Sequence, residues 1–500
     1  MDSENRAPSY FRNWISVIGI IFSIIMFVTI ASLFLLDFLF KVDNPYLGIV
    51  TYMVAPAFLI FSLILILVGA WIERTQRHKR GYVRRFPVID FNNPTHQKWM
   101  YTAWGVITMF LLFSAIGIYR VYNFTESNTF CGRICHTVMK PEYTVYHNSS
   151  HARVTCVQCH IGHGAEWYVR SKLSGAYQVY SVLANRFSRP IETPIKNLRP
   201  AQETCEQCHW PQQFYGAVEQ DHHYFLPDET NTQWKTRMLM FVGGGTPPYG
   251  KREGIHWHMN ISNKVYYIAT DEKRQTIPWV RRIGMDGKEE IFVDEESGYT
   301  AQNPPKGELR TMDCMDCHNR PSHIFKSPTD AVNEAMTSGT ISASLPYIKR
   351  EAVKALVGKY ASDEEGVKKI QNSLEGFYQK KYPLIWSGQK DKIDQAIKTI
   401  VGLYQMNFYP EMNVSWKVYP ENIGHFISPG CFRCHSGRHK TADGRMIATD
   451  CTSCHAIIAQ GAPGAMETKV EGLEFKHPDQ AVGEAWKDMP CFDCHTGDIA

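Results

Sequence analysis

Fourteen cysteines, arranged as seven closely spaced pairs, constrain this 500-residue chain more than any other feature of its sequence. All of them lie beyond Arg120, and a histidine directly follows the second cysteine of every pair. Six pairs have the spacing C-x-x-C-H, and the first, CGRICH, has one more residue between its cysteines. In chain order the motifs are Cys131/Cys135/His136, Cys156/Cys159/His160, Cys205/Cys208/His209, Cys314/Cys317/His318, Cys431/Cys434/His435, Cys451/Cys454/His455 and Cys491/Cys494/His495.

C-x-x-C-H is the attachment site of a c-type haem: two thiols bind the porphyrin covalently and the adjacent histidine binds the iron. Random placement would give on the order of 0.02 such motifs in a chain of this composition. Structural zinc sites also use C-x-x-C pairs, but they do not require a histidine after each one. Disulfides would leave the seven histidines unexplained. The sequence therefore predicts seven covalently bound c-type haems.

The N-terminal quarter is far more apolar than the rest. Three runs, residues 14–40, 46–72 and 101–119, are each long enough to cross a bilayer core of about 30 Å. The first is too long for the apolar region of a signal peptide and predicts a retained anchor. The loop between the second and third runs is rich in Arg and Lys, which predicts a cytoplasmic loop and N-terminus, with everything after Arg120 in the periplasm. The three runs contain no histidine, so the haems are predicted outside the bilayer.

The number of available second iron ligands distinguishes an electron-transfer protein from a substrate reductase. An electron-transfer haem usually has a second axial His or Met, whereas a haem that reduces a substrate keeps that position open. We predict second ligands at Met139, His151, His256, His258, His323, His425, His439 and His477. The last three are predicted for the last three haems, and the others are alternatives for the first four. This supply favours an electron-transfer chain over a reductase.

The pattern between the motifs predicts the organisation. Residues 1–120 form a three-helix transmembrane anchor, and residues 121–325 a tetrahaem domain with a β-rich insertion at about 211–310, where KVYYIAT and EEIFVDEE alternate in polarity. Residues 326–407 have helical periodicity and form a helical connector, and residues 408–500 form a trihaem domain. The predicted fold class is a membrane-anchored multihaem cytochrome c with a mainly helical and irregular haem region. A net charge of +4 gives no indication of nucleic acid binding.

The motifs CGRICHTVM, SSHARVTCVQCHIGHG, RPAQETCEQCHWP and CMDCHNRPSH, in this order behind a membrane anchor, resemble the NapC/NirT family of quinol dehydrogenases over about residues 100–325. The resemblance implies four haems that carry electrons from menaquinol to periplasmic partners. Three spans and three additional haems depart from short family members. They resemble seven-haem inner-membrane cytochromes that feed extracellular electron transfer in metal-respiring bacteria.

In that family the first haem is bound by C-x-x-C-H-x-M and lies over the quinol pocket. Here one residue is inserted between the cysteines, and Met139 stands three positions after His136. The family pocket uses a basic residue on the helix after the second motif, and Lys172 in WYVRSKLSG matches it. The family's downstream acidic partner has no clear match.

The resulting hypothesis is a quinol:cytochrome c oxidoreductase that takes electrons from menaquinol and passes them to periplasmic multihaem cytochromes or a periplasmic reductase. A terminal reductase of a small nitrogen or sulfur oxyanion is the alternative, although no C-x-x-C-K motif is present. Operation in reverse, as a quinone reductase, also stays open. Trp104, Tyr119, Tyr122 and Phe130 line either a quinol approach or an interfacial aromatic belt.

Overall fold

The computed structural model describes residues 10–11, 13–40, 55–80, 90–134, 136–161, 165–195, 200–210, 214, 216–243, 254–259, 264–284 and 286–498. The chain divides into two compact units, residues 1–127 with 160–177, and residues 128–159 with 178–500.

Three helices of the first unit are long and apolar enough to cross a membrane: α1 (Trp14–Phe40), α2 (Ala55–Arg80) and α3 (Pro94–Thr125). They confirm the three predicted apolar helices. The predicted start of the second span falls on residues 46–54, outside the described residues. Helix α3 extends beyond the predicted 101–119 at both ends, because the Asn93 side chain caps it and Pro94 occupies its first turn.

Small and hydroxyl side chains pack α1 against α2. The Ser16 hydroxyl donates to the Ile66 carbonyl at 2.9 Å, and the hydroxyls of Ser23 and Ser62 are 2.7 Å apart. A methyl group on Gly19 would lie 2.8 Å from Ile66 Cγ1. Small residues and interhelical hydrogen bonds are typical of helix contacts in bilayers, where lipid removes the hydrophobic driving force between helices.

The remaining helices connect the motifs and fill the region between the fourth and fifth motifs. They are α4 (His136–His147), α5 (Cys156–His160), α6 (Ala165–Leu183), α7 (Ala201–Cys205), α8 (Cys314–Cys317), α9 (Pro328–Thr337), α10 (Ile348–Val357), α11 (Asp363–Lys381), α12 (Pro383–Gly388), α13 (Lys390–Asn407) and α14 (Cys491–Cys494).

Among the described residues of the second unit, nine strands form two antiparallel sheets. The first sheet has the order β1-β2-β8-β9 and the second β6-β3-β4-β5-β7. The strands are β1 (Ala217–Phe225), β2 (Gln233–Phe241), β3 (Lys264–Ile268), β4 (Trp279–Ile283), β5 (Glu289–Asp294), β6 (Arg310–Thr311), β7 (His439–Lys440), β8 (His455–Gly461) and β9 (Glu467–Leu473).

The predicted strands at residues 264–268 and 289–294 are confirmed, but the β structure is not a separate insertion. Strand β2 pairs with β8, with Met240 opposite His455, and β5 pairs with β7, with Asp294 opposite His439. Each sheet therefore contains strands from the C-terminal haem region, for which the sequence predicted no strands. Strand β7 has two residues, and the register of β8 shifts between Ile457 and Ala459, which hides the alternation that marks a strand.

The aliphatic core lies in the helical connector. Helices α9 to α13 confirm the predicted amphipathic helices, and Ile370, Leu374, Ile393 and Ile400 are at most 1% exposed. Ser327 and Ser362 cap α9 and α11 through their hydroxyl groups. Each fully buried aliphatic side chain stabilises the folded state by about 1.5–3 kcal/mol.

Candidate haem centres and quinol site

The described motifs form compact turns that bring the cysteines and the following histidine together. The amide of the histidine donates to the carbonyl of the first cysteine in four motifs, at 2.8 Å for His209, His318 and His495 and at 3.0 Å for His435. This i to i−4 bond is one turn of α-helix. The repeated turn is a local property of the C-x-x-C-H sequence.

The first motif accommodates its extra residue in a π-helix, Phe130–Ile134. A π-turn holds one more residue than an α-turn, so it absorbs an insertion without changing the direction of the chain. Gly132 is required in this turn, because a side chain there would overlap the ring of Tyr143. Cys135 and the side chain of His136 lie outside the described residues, so Met139 as the second ligand stays a prediction.

Each motif histidine from the third to the seventh motif lies opposite one further histidine. A histidine-iron-histidine arrangement, with two Fe–N bonds of about 2 Å, separates the ring centres by about 6 Å. The observed centroid separations are 6.0 Å for His151–His209, 6.3 Å for His256–His318, 5.8 Å for His258–His435, 6.3 Å for His425–His455 and 5.9 Å for His477–His495. These five pairs fit a haem iron between their rings.

Hydrogen bonds to backbone carbonyls hold several of these rings in position. The Nδ1 atom of His256 is 2.7 Å from the Val242 carbonyl oxygen, and that of His258 is 3.1 Å from the Ile255 carbonyl oxygen. Nδ1 of His435 likewise lies 2.7 Å from a carbonyl oxygen. A bond at Nδ1 fixes the tautomer and leaves Nε2 as the metal-binding atom.

His323 shares this feature, with Nδ1 3.1 Å from the Glu142 carbonyl oxygen, and stays a predicted ligand without an assigned iron. His439 is placed differently. Its Nε2 donates to the Ile277 carbonyl at 2.7 Å, its ring is 1% exposed, and His258 rather than His439 faces His435. Strand pairing of β7 with β5 turns His439 into the protein, which its position beside the fifth motif could not reveal.

Successive motifs are neighbours in space, in the order of the chain. In each of six pairs, one thiol raises the pKa of another in the next motif: Cys131 and Cys156, Cys159 and Cys208, Cys205 and Cys314, Cys317 and Cys431, Cys431 and Cys454, and Cys451 and Cys491. A hydrogen bond between thiols is the main cause of the raised pKa of Cys156 and Cys205, and burial is the main cause elsewhere. The seven motifs therefore form one continuous series.

Lys172 forms an ion pair in the first unit that the sequence did not predict. Its Nζ is 2.6 Å from Glu126 Oε1, and the Glu126 side chain is 14% exposed. Glu126 directly follows α3 as its C-terminal cap, and Lys172 lies on α6. The acidic partner of Lys172 therefore lies upstream of it in the chain, whereas the family resemblance implied a downstream one. The only available signal was an acidic residue five positions before the first motif cysteine.

Apolar helices of membrane-spanning length and a continuous series of haem motifs define a membrane-anchored multihaem c-type cytochrome of electron transport. The NapC/NirT cytochrome c family, N-terminal region, matches residues 94–194. The chain is 42% identical over 493 residues to the cytochrome c-type protein ImcH of Geobacter sulfurreducens, covering 98% of this chain and 96% of that protein. The chain belongs to the NapC/NirT cytochrome c family, which confirms the resemblance seen in its motifs. No solved structure matches the chain.

Proposed function

We propose that this cytochrome is a menaquinol dehydrogenase of the bacterial inner membrane. It binds seven c-type haems and passes electrons from menaquinol to periplasmic multihaem cytochromes or a periplasmic reductase, in anaerobic or extracellular respiration. The continuous order of the seven motifs carries this proposal, because haems held by neighbouring motifs would let electrons pass from one to the next. When bound, each haem supplies a reversible one-electron acceptor.

The histidine pairs support electron transfer rather than substrate reduction. His151, His256, His258, His425 and His477 are proposed as the second ligands of the third to seventh irons. Two ligands leave no open position at an iron for a nitrogen or sulfur oxyanion. These five centres therefore conduct electrons.

Lys172 and Glu126 are the proposed quinol site. Oxidation of a quinol to a quinone releases two electrons and two protons, so the site needs a proton acceptor as well as an electron acceptor. The Glu126 carboxylate accepts the two protons of the quinol one at a time and passes each on to water, and the two electrons leave singly to the haems. The Lys172 ammonium, 2.6 Å from Glu126 Oε1, holds the carboxylate in place and would donate a hydrogen bond to the quinol oxygen.

The proposed orientation places the N-terminus and the basic loop in the cytoplasm and residues after α3 in the periplasm. It rests on the positive-inside rule, with Arg74, Arg77, Lys79 and Arg80 among the basic residues after the second apolar run. Single-cysteine labelling is ambiguous in a chain with fourteen cysteines. Protease digestion of intact spheroplasts should instead remove the haem-containing region.

The deciding experiment mixes the oxidised holoprotein anaerobically with a menaquinol analogue and follows haem absorbance. We expect rapid reduction of several haems, slowed at least tenfold in Lys172→Ala and in Glu126→Gln. Arg170→Ala is the control, because Arg170 is a cation on the same helix. Oxidised haems after mixing, combined with rapid reduction of a quinone by the reduced protein, would reverse the proposed direction. Failure of both reactions would exclude the quinone function.

The ligand assignment has its own test. Electron paramagnetic resonance of His258→Ala should show one new high-spin haem, because its iron loses a ligand, whereas His439→Ala should show none. Mass spectrometry of each variant counts the attached haems, and seven are expected in both. A high-spin signal in His439→Ala with seven haems attached would return His439 to the ligand set.

A further inference from the structure

The fourth and fifth motifs are joined by the side chain of Arg433, which lies between the two cysteines of the fifth motif. Its guanidinium donates to three backbone carbonyls: Gly430 at 2.8 Å, Arg274 at 2.8 Å and Asp316 at 2.6 Å. Asp316 lies between the cysteines of the fourth motif. One side chain therefore connects the fourth motif, the β3–β4 turn and the fifth motif.

The carboxylate of Asp316 collects further cations at the same place. It is 3% exposed and accepts hydrogen bonds from Tyr267 at 2.6 Å, Arg310 at 2.9 Å and Arg274 at 3.3 Å. Arg310 also bonds Asp313. Arg274 and Arg310 thus face the two carboxylates, whereas the guanidinium of Arg433 donates to backbone carbonyls and adds a positive charge in a partly buried site where water screens it poorly.

Arg274 has an unusual backbone conformation in the turn between β3 and β4. Its φ is +58°, in the left-handed region that residues with a side chain seldom occupy. The Asp271 carboxylate fixes this turn by accepting from the amides of Gln275 and Thr276 at 3.1 and 2.7 Å. The strained conformation presents the Arg274 guanidinium to Asp316 and its carbonyl to Arg433.

The positive charge of Arg433 lies at both motifs. Its guanidinium donates to the Asp316 carbonyl inside the fourth motif, and its own backbone stands inside the fifth. A fixed positive charge at this place favours an added electron on a haem held by either motif.

One short helix faces both motif histidines. The 3₁₀-helix Ile255–Met259 carries His256 opposite His318 and His258 opposite His435. The ring planes of the first pair meet at 7° and those of the second at 88°. The two centres should therefore differ in their ferric low-spin spectra, because crossed ligand planes give a much larger maximal g value than parallel planes.

We propose that Arg433 is a positioning residue that holds the fourth and fifth haem motifs together and, by its positive charge, raises the reduction potentials of these two haems. Reduction adds one electron to a ferric haem, so a nearby fixed cation stabilises the reduced form. This inference rests on the haem content of the proposed function but not on quinol oxidation. The fourth motif is the last of the NapC/NirT-like motifs and the fifth is the first of the three additional ones. Raised potentials would therefore make these two haems the most readily reduced of the series.

The test is an equilibrium redox titration of the holoprotein with chemical mediators, followed by electron paramagnetic resonance at each potential, with no quinol present. In Arg433→Gln, the large-g signal of the fifth centre should appear at a lower potential than in the unaltered protein. Arg433→Lys keeps the positive charge, so its fifth centre should have nearly the reduction potential of the unaltered protein. In both variants the spectrum of the fifth centre should differ from that of the unaltered protein, because the hydrogen bonds that position the motifs are lost.

Arg438→Gln is the matched control. Arg438 follows the same motif, but its guanidinium is half-exposed and pairs with Asp294 and Glu296. It should leave the potential and the spectrum of the fifth centre unchanged. Unchanged values in Arg433→Gln with seven haems attached would overturn the inference, as would an equal shift in Arg438→Gln. A failure of quinol oxidation would leave this titration unaffected.

Discussion

The helical connector, residues 328–407, and the segment of the seventh motif, residues 474–498, are stabilised in different ways. The connector buries aliphatic side chains such as Ile370 and Ile400 completely. Residues 474–498, all of them described, contribute no apolar side chain to the buried set, and Met489 is 46% exposed. The comparison indicates that a covalently bound haem would take the place of an aliphatic core in the segment of the seventh motif, because little other apolar surface is available there to be removed from water.

The largest expected effect is the loss of the haems. A chain produced without haem attachment should lose all amide protection in residues 474–498, while α11 and α13 remain protected, because their core needs no cofactor. Hydrogen exchange with mass spectrometry measures both regions in one sample. Equal protection in the two regions would break the comparison.

Truncation of a core side chain in the connector should have the next largest effect. Ile400→Ala should lower the free energy of unfolding of the connector by about 2–5 kcal/mol, because it removes fully buried methyl groups and leaves a cavity. Leu384→Ala is the control, since Leu384 is 86% exposed, and should have little effect. Denaturant unfolding followed by far-ultraviolet circular dichroism gives both values.

The replacement of glycine by alanine should have opposite effects on stability in a haem-motif turn and in an ordinary helix. Gly132→Ala should destabilise the first motif by about 1–3 kcal/mol, because its methyl group would overlap the Tyr143 ring. Gly376→Ala in α11 meets nothing within 4 Å and should stabilise its helix by about 0.5–1 kcal/mol. Thermal unfolding and the haem count of each variant measure the effects. If Gly132→Ala were as stable as the unaltered protein, the π-turn would not depend on this contact.

A pH-dependent effect concerns Lys349, a charged side chain buried in the connector. Lys349 is 1% exposed and donates to the Thr329 carbonyl at 2.8 Å, and burial lowers its pKa to about 7, with Asp330 acting in the opposite direction. Its pKa in the unfolded chain is near 10.5. Between these values the unfolded chain binds more protons, so the stability contribution of Lys349 rises with pH from about 7 to about 10.5.

The replacement Lys349→Met should remove this slope. Denaturant unfolding at pH 7 and pH 9 should show that the unaltered protein gains more stability over this interval than the variant does. An equal gain in the two proteins would mean that Lys349 stays protonated in the folded connector.

Sequence patterns predicted the parts of the molecule whose structure is local. The connector helices follow from apolar spacing, and the membrane helices from run length. Strands β7 and β8 were not predicted, because their partners β5 and β2 lie in a distant part of the chain, and β9 was not predicted either. A strand of two residues, such as His439–Lys440, is too short to show an alternation of polar and apolar residues, so only its pairing with a distant strand defines it.

The candidate site divides in the same way. The thiols and histidines of the motifs are adjacent in sequence, so their chemistry can be predicted without a structure. The ion pair of Lys172 with Glu126 required the structure, because α3 and α6 are separate elements whose packing brings the two charges together.

The sequence by itself determined the number of haem motifs, the chemistry of their covalent attachment and the three apolar helices, because each depends on residues within one short segment. Only the tertiary structure decided that His258, and not the nearby His439, faces His435, and that Arg433 connects two motifs. An iron ligand is selected by distance in space, and folding sets that distance independently of separation along the chain.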